Sequence, residues 1–259
     1  MSPSLPIYEI YAVKYAGPFV RPVAKVLWNT DWEKEIEINY YIWVVKRNDE
    51  ALIVDCGVTP SLAKQMQLRG YINPVHILAR IGVEASQVRT VVITHIHFDH
   101  ANGTELFPEA TFYVQEKEFN FWMKDPVAKK PPFLMLSDPI GKSHLTRLEE
   151  TERLVLVNGD QIILPGIELL FASGHTPGLQ AVAVNTARGT AIIGSDCAHI
   201  FRNYEEEIPS CFIADMVSWM KSYDKLKSRV SSLDLLFPGH DIKMSTQYPK
   251  VAEDITRLV

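Results

Sequence analysis

The stretch TVVITHIHFDHANG, residues 90–103, runs from β-branched and apolar residues straight into His95, His97, Asp99 and His100. Histidine is a poor filler for a turn and a poor choice for a solvated face, so this cluster asks for a chemical reason. Neutral imidazole and carboxylate are the usual ligands of zinc, iron or manganese. Residues two apart on an extended segment project to one side, which suits His95 and His97. A turn after His97 would bring Asp99 and His100 to a neighbouring point. So short a segment cannot readily wrap four ligands around one ion, but it could feed two ions a few ångströms apart. The bland reading is a pH-sensing loop, and it leaves the rest of the chain unexplained.

Three further runs end in the same manner. LLFASGHTPG closes an apolar run with His175 in a Gly/Pro turn, TAIIGSDCAH does so with Asp196, and DLLFPGHD with His240. Taken singly, His175 reads as a turn histidine and Asp196 as a helix cap. Four apolar strands that each end in a loop carrying His or Asp instead point to one site on one edge of a layered sheet. Asp55, in LIVDCG, reads either as a carboxylate that orients a ligand histidine or as a cap on the following turn. His76 and His144 have no such setting and read as ordinary surface or helix residues.

The elements that must position these groups alternate between strand-like and helix-like runs, which indicates α/β or α+β. Strands are predicted at 8–15, 38–46, 51–55, 90–94, 111–114, 153–156, 161–164, 167–172, 180–185, 190–194 and 233–237. Helices are predicted at 60–69, 74–81, 103–106, 115–124, 214–227 and 246–259. NPVHILARIG has an Asn cap, a Pro in the first turn and a Gly stop. Residues 125–145 hold four of the sixteen prolines and read as a long excursion or lid. Trp28, Trp32, Phe121 and Trp122 read as core rather than pocket wall.

The motif THIHFDH matches the HxHxDH signature, and the chain resembles the metallo-β-lactamase superfamily. GHTPG, the Asp after an apolar strand and the late GH complete that family's ligand series in order. The resemblance extends over essentially the whole chain, and implies one domain over 1–259 with the four-layer αβ/βα sandwich. It also implies that His95, His97 and His175 hold one metal, that Asp99, His100 and His240 hold a second, and that Asp196 bridges them. Two divalent ions, zinc first and iron, manganese or cobalt as alternatives, would lower the pKa of a shared water so that a bridging hydroxide attacks the substrate. Asp99 would orient that water or receive its proton. Lactonase-like members often carry a Tyr shortly after the bridging Asp. Here DCAHIFRNYEEEIPS puts His199 near that place, as a residue to polarise a carbonyl or protonate a leaving group, with Tyr204 as its rival for substrate contact. Cys197 is a weaker candidate for the metal site.

Within the superfamily the chain looks most like the N-acyl homoserine lactonase group, which implies hydrolysis of a cyclic ester. A thioesterase of the glyoxalase II type would carry a helical domain after the last ligand, whereas only a short stretch follows His240. A β-lactamase is typically exported, and the N-terminus lacks a basic region followed by a long apolar one. A nuclease usually adds a basic surface, and the net charge of −5 argues against nucleic acid and anionic membranes. With 47% apolar and 22% charged residues the composition is that of a globular protein. Three cysteines without a CxxC pair suit reduced thiols and a cytoplasmic setting. No run reaches the length of a membrane span. The expected partner is a small molecule, and the aromatic run from Phe19 to Trp32 is expected either to contact a second copy in a homodimer or to cover the pocket.

Overall fold

Alternating burial along two long strands builds the first wall of the protein. In the computed structural model, which describes residues 5–259, β1 (Glu9–Pro22) pairs antiparallel with β2 (Glu35–Arg47). Ile10 and Ala12 face one side of this hairpin with Tyr41 and Trp43 across the pair, while Tyr11 and Val13 face the other with Ile42 and Val44. β3 (Glu50–Val54) continues antiparallel, and β4 (Thr90–Val92), β5 (Thr111–Gln115) and β6 (Leu154–Val157) follow in parallel. A second sheet holds β7 (Gln161–Leu164), β8 (Ile167–Phe171), β9 (Gln180–Thr186), β10 (Gly189–Ser195) and β11 (Leu236–Pro238), in the order β11-β10-β9-β8-β7. Two last strands, β12 (Lys250–Ala252) and β13 (Ile255–Arg257), return to the first sheet, whose order is β12-β13-β1-β2-β3-β4-β5-β6.

Three apolar clusters make the layers explicit. One fills the space between the sheets, with Trp43, Val54 and Val92 against Val182, Ile193 and Phe237. The second covers the outer face of the first sheet with α1 (Val23–Val26), α2 (Pro60–Gln65), α3 (Pro74–Leu78), α4 (Phe98–Ala101), α5 (Glu116–Lys124), α6 (Pro131–Leu134) and α7 (Pro139–Glu150). The third packs α8 (Phe201–Glu206) and α9 (Met216–Arg229), through Tyr204, Trp219, Tyr223 and Leu226, on the outer face of the second sheet. A last short helix, α10 (Lys243–Thr246), packs under β1 and β13. The result is the expected four-layer αβ/βα sandwich. None of the helices among the described residues is long and apolar enough to cross a membrane.

The predicted helix over 246–259 is instead the β12–β13 hairpin. Val251, Ile255 and Leu258 fit a helical stripe, but Pro249 blocks helix continuation, and the free edge of β1 captures the segment through Tyr11–Arg257 and Val13–Ile255 pairing. The predicted helix over 60–69 stops at Gln65, and Gln67 then takes a left-handed φ of 52°. The predicted excursion at 125–145 is largely helical: Asp138 caps α7 by accepting from the Gly141 N–H, and Pro139 opens its first turn. The predicted strand at 233–237 begins with a tight turn, so β11 is shifted to Leu236–Pro238. Trp28 and Trp32, predicted as core, are 47% and 71% exposed.

If the C-terminal hairpin is part of the sheet, Ile255→Ala should cost about 3 kcal/mol, whereas Val251→Ala on its exposed face should cost less than about 0.5 kcal/mol. Urea denaturation of both variants checks this, and equal small effects would mean the segment is not packed as described.

Candidate metal centre

The C-terminal ends of β4, β8, β10 and β11 all reach the same edge of the sandwich. There the chain runs on to His95 and His97 after β4, to His175 after β8, to Asp196 after β10 and to His240 after β11. α4 begins just after His97 and carries Asp99 and His100. The two sheets are joined at this edge by Gln180 N–H donating to the Thr94 carbonyl at 2.9 Å and by the Thr94 and Ser195 hydroxyls at 3.0 Å. Ser195 takes a left-handed φ of 46°, turning the chain just before Asp196. Gly239 precedes His240 because a Cβ there would stand 2.0 Å from Asp196 Oδ1.

All seven predicted ligands are buried, and their ligating atoms converge in two groups. In one, His97 Nδ1 lies 3.1 Å from both His95 Nε2 and His175 Nε2, with Asp196 alongside. That spacing matches an edge of a tetrahedron of nitrogens around zinc, ~3.3 Å for bonds of ~2.0 Å. The other group is Asp99, His100 and His240. The far ring nitrogens are fixed by partners: His175 Nδ1 by the Phe212 carbonyl at 2.9 Å, His240 Nδ1 by the Asn39 carbonyl at 2.9 Å, and His100 Nδ1 by Asp55 at 2.7 Å. Such contacts turn Nε2 of each ring toward the cluster as the lone-pair donor. Asp55 therefore orients a ligand, the first of its two sequence readings.

The electrostatics fit a cation. Burial presses His95 well below the usual imidazole range and takes His97 and His175 down to about 3, so these rings are neutral donors. Burial acts the same way at His100 and His240, but there the carboxylates win: Asp99, Asp196 and Asp55 push His100 up to about 10, and Asp196 and Asp99 raise His240. Asp99 itself is raised by burial, while Asp196, though buried, is held well below the carboxylate range by His240, His199 and His100. His100 Nε2 and Asp196 Oδ1 are buried 3.4 Å apart with no hydrogen-bond partner. Positive charge placed between them would satisfy both.

The remaining predicted residues separate. His199 joins the cluster: its Nε2 is 3.4 Å from Asp196 Oδ2, its ring stacks over Phe212, and it lines the adjoining cavity. Burial depresses its pKa well below the ordinary value, so it is neutral. Tyr204 is not brought to this cavity; its ring packs in the outer core beside Tyr223 and its hydroxyl lies over Gly194. Cys197 shares that outer core and belongs to neither ligand group. Trp122, predicted as core, is buried, and its ring meets that of His97 edge-on at 5.5 Å. His76 is exposed, and His144 pairs with Glu105 at 3.5 Å.

Sequence reading missed Glu118. Its buried carboxylate accepts from Ile96 N–H at 2.9 Å, Gly178 N–H at 2.8 Å and Trp122 Nε1–H at 2.7 Å. It thereby ties the His97 loop to the His175 loop, and Gly178 is required because a Cβ would meet the Glu118 backbone at 2.2 Å. No local pattern marks a carboxylate whose donors come from two distant loops.

A buried imidazole–carboxylate cluster at the shared edge of an αβ/βα sandwich is the site of a metal-binding hydrolase. Residues 37–240 match the Metallo-beta-lactamase superfamily, and the chain belongs to that family. Among its relatives, the N-acyl homoserine lactonase AiiA of Bacillus thuringiensis subsp. kurstaki is 25% identical over 226 residues, 81% of this chain and 84% of the relative. The N-acyl homoserine lactonase AttM of Rhizobium radiobacter is 25% identical over 178 residues, 67% of this chain and 65% of the relative. A solved quorum-quenching N-acyl homoserine lactone lactonase superposes with a TM-score of 0.74 at 21% identity, covering 97% of this chain and 98% of its own. AidC, described as a dizinc quorum-quenching lactonase, superposes with a TM-score of 0.66 at 15% identity, covering 92% and 89%. These structures share the fold.

Two outcomes test the supports of the site. Asp55→Asn should weaken metal affinity about 10–100-fold, measured by competition with a chelating dye; unchanged affinity would remove Asp55 from its orienting role. Glu118→Ala should lower stability by about 3 kcal/mol because buried donors lose an ionised acceptor, and denaturation of the metal-saturated protein reads this directly.

Proposed function

We propose that the chain is a dinuclear metal-dependent hydrolase that opens a cyclic ester, an N-acyl homoserine lactone or a related lactone. The observation that carries this reading is the Asp196 carboxylate. Its Oδ2 faces His95 and His175 at 3.8 and 3.4 Å, while its Oδ1 faces His100 and His240 at 3.4 and 3.0 Å. A carboxylate so placed suits a bridge between two ions, one held by His95, His97 and His175 and the other by Asp99, His100 and His240. The donor set favours zinc and also accepts iron, manganese or cobalt. When bound, such a pair polarises a carbonyl and activates water.

The chain's own residues hold, orient and exclude. A cavity of about 440 Å³ opens onto His97, Asp99, His175, Asp196, His199 and His240, a size that suits a small molecule rather than a polymer. Asp99 is fixed from behind by the Tyr15 hydroxyl, which donates to the Asp99 carbonyl at 2.6 Å. Its carboxylate borders the cavity, where it accepts the proton released as water adds to the ester carbon. His199, as a neutral imidazole, keeps one N–H donor for an ester oxygen. The curated relatives described as N-acyl homoserine lactonases support the lactone class.

Proton release from metal-loaded protein should be measured on lactones of several ring sizes beside a thioester, a β-lactam and a phosphodiester. We expect lactone turnover that is abolished in His97→Ala and Asp196→Ala and weakened in His199→Ala. Turnover of another class alone would discard the lactone and keep the metal site. Lactone turnover that survives in Asp196→Ala would overturn the bridged-pair mechanism.

A further inference from the structure

The register of the β1–β2 hairpin decides what the mouth of this cavity offers a substrate. From Phe19 to Pro22 the pairing is regular: Phe19 opposes Ile38, Val20 opposes Glu37, Arg21 opposes Ile36 and Pro22 opposes Glu35. Cross-strand partners share a face, so Phe19 and Arg21 share the cavity face with Ile38. Glu35 and Glu37 go to the other face with Val20, which is 44% exposed. Lys25 on α1 and Arg69 after α2 line the same cavity. The only carboxylates lining it are Asp99 and Asp196, at its metal-binding floor.

The three cations are uncommitted. None of Arg21, Lys25 and Arg69 forms an ion pair with a carboxylate among the described residues. Asp31, the acidic residue closest in sequence to Lys25, is taken by Lys34 and Arg202. Arg21 is half-buried, its guanidinium 5.3 Å from the centre of the Phe19 ring, and its one hydrogen bond is from Nη1 to the adjacent Val20 carbonyl. Most of its fork of donors therefore remains free, in a geometry that matches carboxylate. On a chain of net charge −5, this is a local reversal of the protein's overall sign.

We propose that the substrate carries a carboxylate remote from the bond that is cleaved, held at the cavity rim by Arg21 with Lys25 and Arg69. The proposal rests on the reading above for the scissile ester. It goes beyond it in naming the charge of the rest of the molecule: an anionic lactone is selected over a neutral one.

The test is a matched pair, N-succinyl and N-butanoyl homoserine lactone, which differ in a carboxylate in place of a methyl. With metal-loaded protein the succinyl compound should show the higher kcat/KM by about tenfold, the scale of one charge-assisted contact. That ratio should collapse toward one in Arg21→Gln, shrink in the exposed-site variant Lys25→Gln, and erode as salt is raised. Equal or reversed preference in the parent, or a ratio unmoved in both variants, would overturn the anion site while leaving the lactonase reading standing. If neither lactone is opened, the lactonase reading fails. The anion site is then decided by calorimetric titration of the open-chain acids, N-succinyl- and N-butanoyl-homoserine: tighter binding of the succinyl acid, lost in Arg21→Gln, upholds it, and equal affinities overturn it.

Discussion

The Asp55 carboxylate lies fully buried where the two sheets meet, and its two oxygens hold groups from both. Oδ1 accepts from the Thr94 N–H at 2.7 Å; Oδ2 accepts from the Thr94 hydroxyl at 2.9 Å, faces His100 Nδ1 at 2.7 Å and takes a longer contact from the Ser195 hydroxyl at 3.3 Å. Thr94 leads into the first ligand loop and Ser195 into Asp196, so one side chain sets the relative position of ligands that belong to different sheets. Burying a carboxylate is costly unless it is fully hydrogen-bonded, and here that requirement links strand ends to metal ligands. Glu118 makes the corresponding tie on the other side, between the loops of His97 and His175.

The charges divide the cavity into two ends. At the floor, three imidazoles are kept neutral by burial while carboxylates raise the other two, an arrangement ready for cations. At the rim, the β1–β2 register brings Arg21 inward and sends Glu35 and Glu37 outward. Phe19, Lys25 and Val26 from the aromatic N-terminal run line the cavity, so this run covers the pocket as one of its two sequence readings held. The wide face of Trp32 stays 71% exposed.

The ligands were legible in the sequence because each sits directly after an apolar strand, and a strand end confines a side chain to one edge. Asp55 was half legible, since LIVDCG shows a carboxylate after a strand but not its target. What required the three-dimensional structure was whatever depends on pairing between distant segments. Tyr204 sits close in sequence to Asp196, yet α8 directs it into the outer core over Gly194. Glu118 draws its donors from two remote loops. Arg21 faces the cavity only through a register that bulges near Ala16 shift by whole residues. The C-terminal hairpin misled helical spacing because the edge of β1, invisible in local pattern, was there to pair with it.

The most direct test of the account is anomalous diffraction from crystals of the zinc-loaded protein. The account predicts two peaks about 3.5–4 Å apart, one among His95, His97 and His175, the other among Asp99, His100 and His240, with Asp196 reaching both. A single fully occupied peak, or two peaks that leave Asp196 on one ion only, would contradict it.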